Sequence, residues 1–195
     1  MNLQAVLLYS GVDTNYYKKI YVEKLEKPTI FFISRIMKHK NVDFLLELAK
    51  AIPSAQVVIG GSGPYLQELK KNAPKNTVFL GRISEEDKRA WYCKADVFVF
   101  PALKEPLGVV PMEAMACETP VVAFNSGGPR ETVENKKTGF LAKNKEEFIN
   151  YVKELINNSQ MRAEFGKNGR ERVIKMFSVH SMVGNTEKWY KKLAK

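Results

Sequence analysis

Residues 95–117 read Ala-Asp-Val-Phe-Val-Phe-Pro-Ala-Leu-Lys-Glu-Pro-Leu-Gly-Val-Val-Pro-Met-Glu-Ala-Met-Ala-Cys. The run Val97 to Phe100 has strand length, and its β-branched and aromatic side chains suit a sheet buried on both faces. Pro101 to Gly108, with two prolines and a glycine, reads as a loop. Val109 to Cys117 predicts a helix. The same strand, loop and helix alternation continues in both directions. Strands are expected near Thr29–Ile33, Gln56–Ile59, Val78–Leu80, Val121–Phe124 and Gly139–Leu141. Helices are expected over Val42–Ala51, Tyr65–Asn72, Glu85–Lys94, Pro129–Glu134 and Lys145–Asn157, with two or three more before the C-terminus. Ser84 ahead of Glu85-Glu86-Asp87 is a helix start, and Ser62-Gly63-Pro64 predicts another. Such alternation indicates an α/β fold, a Rossmann-like doubly wound parallel sheet. The stretch after Ser159 carries helices with no strand between them.

The chain has 195 residues, 45% hydrophobic and 27% charged, a composition that folds around a core rather than staying disordered. Its formal net charge of +10 concentrates anionic partners around it, although the lysines are scattered rather than blocked except near the C-terminus. Trp189 and Tyr190 beside Lys188, Lys191 and Lys192 read as an amphipathic terminal helix that packs its rings inward or lies on an anionic membrane, not as a nucleic-acid surface. Cys93 and Cys117 fall in predicted helices without metal-type spacing and are expected as reduced, buried thiols. Met1 to Tyr9 lacks the basic segment and apolar length of a signal peptide, and no run approaches a membrane span. These features predict a cytoplasmic protein whose membrane contact, where present, is peripheral.

Ligands of open parallel sheets bind outside the carboxyl ends of the strands. Five loops meet there: Ser34 to Lys40, Gly60-Gly61-Ser62-Gly63, Gly81-Arg82, Pro101 to Gly108, and Asn125 to Gly128. Glu105 precedes the helix and Glu113 lies in its second turn, so at roughly 1.5 Å per residue their Cα atoms are at most about 12 Å apart. That span suits a nucleotide-sugar, reaching from sugar to ribose. The backbone N–H groups at the helix start between the two carboxylates suit its diphosphate. The Gly60 to Gly63 run lacks the spacing of a dinucleotide fingerprint and is also compatible with a tight strand-to-helix turn. The carboxylates do not flank a glycosidic oxygen as a hydrolase requires. His39 reads as a loop residue and His180 as a helix-surface residue, so no metal site is expected.

The ordered features Gly11-Val12-Asp13, Arg35 with Lys40, Gly60-Gly61-Ser62-Gly63, Phe79-Leu80-Gly81, Ala95 to Val99, Glu105 to Glu113 running into Ala114-Met115-Ala116, and Gly127-Gly128-Pro129-Arg130-Glu131 cover nearly the entire chain. Together they resemble the C-terminal, donor-binding half of a GT-B glycosyltransferase of the retaining family 4, the glycosyl transferases group 1. Pro106-Leu107-Gly108 stands where the family often has Gly-Phe-Gly, and Arg130 has no assigned role. The resemblance implies a hinge segment over residues 1–27, a nucleotide-sugar-binding Rossmann-like domain over 28–160 and a helical tail over 161–195.

It further implies catalytic roles for Arg35, Lys40 and Glu105. Arg35 and Lys40 would hold the diphosphate and stabilise the charge that gathers as the sugar leaves, and Glu105 would contact sugar hydroxyls. Donor binding would fall to Gly81, Arg82 and Ile83 at the base, to Leu107, Gly108 and Val109 at the phosphates, and to Glu113 at the ribose hydroxyls. The implied reaction moves a hexose, with mannose preferred mildly, to an acceptor hydroxyl with retention, and needs neither cofactor nor metal. A family enzyme also has an N-terminal acceptor-binding domain, so transfer calls for such a domain or subunit, and a lipid-linked acceptor at a membrane is compatible. The alternative is a non-catalytic sugar-nucleotide-binding or regulatory module.

Overall fold

Apolar strands without polar alternation demand cover on both faces, and the fold supplies it. A computed structural model describes residues 7–194; the reading of the amino terminus as lacking a signal peptide lies largely outside the described residues. Strands β1 (Thr29–Ile33), β2 (Gln56–Gly60), β3 (Thr77–Gly81), β4 (Val97–Phe100), β5 (Val121–Phe124) and β6 (Gly139–Ala142) form one sheet in the order β3-β2-β1-β4-β5-β6. Every pairing is parallel. Helices are α1 (Asp43–Ala51), α2 (Leu66–Lys71), α3 (Glu85–Lys94), α4 (Val109–Ala116), α5 (Pro129–Thr132), α6 (Lys145–Asn157), α7 (Ser159–Met176) and α8 (Val179–Leu193), with a 3₁₀ turn at Lys38–Lys40.

Side chains alternate between two cores. Ile30, Phe32, Val57, Ile59, Val97 and Val99 pack with α1 and α6 on one side, while Phe31, Ile33, Val58, Phe98 and Phe100 pack with α3 and α4 on the other. The edge strand β3 is only partly covered. Because the connections from β1 and β4 leave toward opposite faces, a crevice opens between their carboxyl ends, the switch point of a doubly wound sheet.

Several expectations shift. Ser62 does not cap a helix: α2 starts at Leu66 with no side-chain cap. The strand-to-helix loop instead uses its glycines for close approach, since a Cβ on Gly61 would lie 1.9 Å from the Ser34 carbonyl oxygen and one on Gly63 2.2 Å from that of Ile36. Helix α5 stops at Thr132 rather than Glu134. The division expected at residue 160 falls inside α7, which packs along α4. Arg170 of α7 donates to the carbonyls of Ala116 (2.6 Å) and Tyr17 (3.2 Å), joining α7, α4 and the amino-terminal segment. That segment is also tied down at Val12, whose N–H donates to Phe177 O (2.7 Å) and whose carbonyl accepts from Val179 N–H (3.0 Å). Of the two placements expected for α8, inward packing of its rings or an exposed face able to lie on an anionic membrane, the first is not found: no residue of this helix is buried, Tyr190 is 70% exposed, and Trp189 is half-buried under the ammonium of Lys192. No helix of the described residues is long and apolar enough to cross a membrane.

Candidate functional site

The site follows from what each strand end delivers. After β1 the chain passes through Arg35 into the 3₁₀ turn that ends with Lys40; after β4 it forms the loop that carries Glu105. These two loops meet across the switch point. Lys40 Nζ lies 2.5 Å from Glu105 Oε2 with both side chains about four-fifths buried, and Asn41 donates to the Pro101 carbonyl (3.1 Å). The Glu105 loop is held from below by the Gly127-Gly128 turn. Gly128 N–H donates to the Glu105 carbonyl (2.7 Å), and a Cβ on Gly128 would lie 2.2 Å from Leu107 Cα. Two glycines in sequence are what this contact between backbones requires.

Gly108 adopts φ +81° and ends the loop ahead of α4 without placing a side chain over the first N–H groups. Val109 is exposed and Leu107 half-buried beside them. The start of α4 is therefore open to an anion, which both the free N–H groups and the helix dipole would favour.

Arg35, Arg82 and Ile83 line one groove of about 420 Å³ with Ile33, Ser34 and the Gly61-Ser62-Gly63 loop. Arg35 makes no side-chain hydrogen bond or ion pair with another described residue. Gly81 has φ +68°, and its carbonyl already accepts from Gly61 N–H (2.7 Å), which leaves the groove to the two residues that follow.

Glu113 lies one turn inside α4 and is buried. Tyr92 Oη donates to its Oε2 at 2.8 Å, and Lys88 Nζ lies 3.1 Å from the same oxygen. Lys88 also pairs with Glu85 at 2.8 Å, and the Tyr17 hydroxyl donates to Glu85. Burial, then the charge of Glu113 and its hydrogen bond, push the Tyr92 hydroxyl well above its ordinary range. Burial, then the bond to Glu85, does the same for Tyr17. Hydrogen bonds from Lys88, then Tyr17, pull Glu85 below the usual carboxylate range. Both phenols thus remain donors, and the Glu85 carboxylate remains an acceptor. A carboxylate offers about four acceptor positions, so Glu113 keeps capacity for further hydroxyls.

The expected residues therefore form three neighbouring groups: Arg35 with Arg82 and Ile83 in the groove, Lys40 with Glu105 and the start of α4 at the switch point, and Glu113 within α4. Sequence reasoning missed Lys88, Tyr92, Tyr17 and Glu85. A signal for three of them existed, since Glu85, Lys88 and Tyr92 recur at i, i+3 and i+7 and so share one face of α3. Among the described residues no group of three or more His, Cys, Asp and Glu side chains could hold a metal ion.

A six-stranded parallel sheet of this order, opening at its switch point toward charged loops, is a Rossmann-like doubly wound fold, and it matches that half of solved GT-B glycosyltransferases. The chain belongs to the glycosyl transferases group 1 family, whose model matches residues 13–172. It is similar to the GDP-mannose-dependent alpha-(1-6)-phosphatidylinositol monomannoside mannosyltransferase of Mycobacterium tuberculosis (33% identity over 164 residues, 75% of this chain and 43% of the relative). It is also similar to the sulfoquinovosyl transferase SQD2 of Arabidopsis thaliana (32% over 152 residues, 75% and 30%). Among solved structures, the sucrose-phosphate synthase of Thermosynechococcus elongatus superposes with a TM-score of 0.87 at 26% identity, covering 97% of this chain and 53% of that one. The chain thus spans about half, or less, of the length of these relatives.

Proposed function

We propose that this chain is the donor-binding part of a retaining hexosyltransferase that takes a nucleoside diphosphate sugar in the switch-point crevice. The observation that carries the reading is the Lys40–Glu105 ion pair across that crevice, beside the open start of α4. In this ion pair each charge compensates the other. A diphosphate arriving at the helix start draws Lys40 toward itself, joined by Arg35 from the groove, and frees Glu105 to accept hydroxyls of the hexose. The ribose hydroxyls go to Glu113, which Tyr92 and Lys88 hold in place. The base lies along Gly81, Arg82 and Ile83, and Leu107, Gly108 and Val109 border the phosphates.

As the bond to the anomeric carbon breaks, negative charge grows on the leaving diphosphate, where Arg35, Lys40 and the α4 dipole stabilise it. The diphosphate then takes the acceptor proton on the same face of the sugar, which retains configuration without a protein nucleophile, metal or cofactor. The acceptor is supplied by an N-terminal domain or a separate subunit. Exposed Tyr190 and Leu193 beside Lys191 and Lys192 suit a peripheral, cytoplasmic-face contact with an anionic membrane and hence a lipid-linked acceptor. Mannose is the first sugar to test because the mycobacterial relative is GDP-mannose-dependent.

The test is calorimetric titration of the chain with GDP, UDP, ADP and their hexose conjugates. Saturable binding of one base series, lost in Glu113→Ala, is expected. Unchanged affinity in Glu113→Ala would overturn the assignment of the ribose site. A module that binds the donor yet supports no transfer when joined to an acceptor domain would favour the non-catalytic reading.

A further inference from the structure

Tyr17 belongs to the segment that precedes β1, yet its side chain is built into the helical layer that carries Glu113. It is buried, and its ring packs edge-on against Tyr16 (centroids 5.1 Å apart) and Tyr92 (6.2 Å). The backbone around it is pinned from several sides. Tyr17 N–H donates to the Asp13 carbonyl (2.8 Å), Arg170 Nη1 donates to the Tyr17 carbonyl (3.2 Å), and Arg89 Nη1 donates to the Tyr16 carbonyl (3.2 Å) with its guanidinium 4.7 Å from the Tyr16 ring. The phenol is therefore fixed before any ligand arrives, and it donates to Oε2 of Glu85.

The same Glu85 oxygen also takes Lys88 Nζ at 2.8 Å. Although Glu85 is largely exposed, the Lys88 side chain is nearly buried, with its ammonium 5.2 Å from the centre of the Tyr17 ring. That ammonium reaches both oxygens of Glu113, at 3.1 Å (Oε2) and 3.2 Å (Oε1). One cation is thus shared between two carboxylates, and its shorter contact is the one to Glu85. Charge-assisted N–H to carboxylate bonds fall at about 2.7–2.9 Å, so the Glu85 contact is a full bond and those to Glu113 are stretched. Lys88 steadies Glu113 without closing on it. With Tyr92 bonded to Oε2, acceptor positions on Glu113 remain open. Among the described residues Tyr17 makes no hydrogen bond to Glu113, so its influence runs through Glu85 and Lys88.

Resting on the reading of Glu113 as the ribose acceptor, we propose that Tyr17 is a positioning residue for the donor: through Glu85 it draws Lys88 off Glu113 and keeps that carboxylate open to the 2′- and 3′-hydroxyls. Without the Tyr17 hydroxyl, Glu85 turns to water and no longer holds Lys88. The ammonium then closes on both oxygens of Glu113 and takes the positions that the diol needs. The effect is confined to the diol, because neither Tyr17 nor Glu85 lines the groove of Arg35 and Arg82 or belongs to the start of α4. The segment that leads into β1 thereby sets the affinity of a site built on α4.

The experiment titrates the chain calorimetrically with GDP, UDP and ADP, each beside its 2′,3′-dideoxy analogue. Wild type should prefer one diphosphate over its dideoxy analogue. In Tyr17→Phe, which keeps the packed ring, that preference should fall by about three- to tenfold, the scale of one hydrogen bond, with affinity for the dideoxy analogue unchanged. Glu85→Gln, which weakens the hold on Lys88, should lower it in the same direction. Tyr16→Phe alters the neighbouring ring but no hydrogen bond of the network, and should leave the preference at the wild-type value. An undiminished preference in Tyr17→Phe, an equal loss for both ligands, or the same drop in Tyr16→Phe would overturn the inference while the donor reading stands. A wild type that binds none of the ligands, or binds each pair equally, would overturn the ribose assignment and this inference with it.

Discussion

Replacing Tyr92 by Phe removes one atom from the centre of the Glu113 network. The ring is fully buried and packs edge-on against Phe31, Phe98 and Tyr17, contacts that phenylalanine keeps. What is lost is the 2.8 Å hydrogen bond to Glu113. A hydrogen bond to a charged acceptor contributes about 1.5–3 kcal/mol net, and because Lys88 continues to serve the same carboxylate the lower half of that range applies. For a domain of this size that corresponds to a melting temperature lower by roughly 3–8 °C.

The pH dependence has a definite sign. Folding raises the Tyr92 value above its ordinary 10.0, so its contribution is fully present below pH 10 and is lost as pH rises and the unfolded chain ionises first. The gap between wild type and Tyr92→Phe should hold from neutral pH to about pH 9 and narrow above about pH 10. Thermal and urea unfolding of both chains, with Glu113→Gln completing a double-mutant cycle, reads these quantities. Equal melting temperatures, or a cycle that closes with no coupling, would refute the reasoning.

Arg35→Ala should weaken binding of the diphosphate by about tenfold, the scale of one charge-assisted contact, and leave the nucleoside untouched; equal loss for both in calorimetry counts against its role. Lys40→Ala strands a largely buried Glu105 and should cost about 1–3 kcal/mol in urea unfolding, below the range for fully buried pairs because the site keeps some water, while Lys40→Met with Glu105→Leu should recover most of it. Gly128→Ala drives a Cβ to 2.2 Å from Leu107 Cα, a backbone contact that no rotamer relieves, so a loss of at least about 2 kcal/mol is expected in the same assay.

The strands were legible because each needs only its own residues: β1, β4 and β5 lie where apolar runs with a proline at one end, Pro28, Pro101 and Pro120, predict them. Ser84 was legible as a cap for the same reason, and its side chain accepts from Asp87 N–H at 3.0 Å. Ser62 was misread because a Ser-Gly-Pro start and a glycine loop pressed against Ser34 and Ile36 look alike until the partner loop is present. The Lys40–Glu105 pair joins residues far apart in sequence whose proximity depends on β1 lying beside β4, which composition does not encode. Glu113 was singled out for its apolar setting, but its partners Lys88 and Tyr92 depend on how α3 packs on α4. For α8 the sequence left two placements open, inward packing or an exposed face, and Tyr190 decides against the first, because amphipathic periodicity fixes which face is apolar and says nothing about what covers it.

The clamp at Val12 also sets how the molecule bears mechanical load. A pull on the chain at residue 7 loads the side-chain bonds of Tyr9 to Glu131 and of Gly11 N–H to Met182, then the two backbone hydrogen bonds that join Val12 to Phe177 and Val179, and then Arg170, whose guanidinium grips both Tyr17 and the end of α4. Tension therefore flows into the helical layer that carries Glu113 before it reaches the strands. Under stretching, the amino-terminal segment should peel at low force as a separate event, with the six-stranded sheet yielding later as a unit.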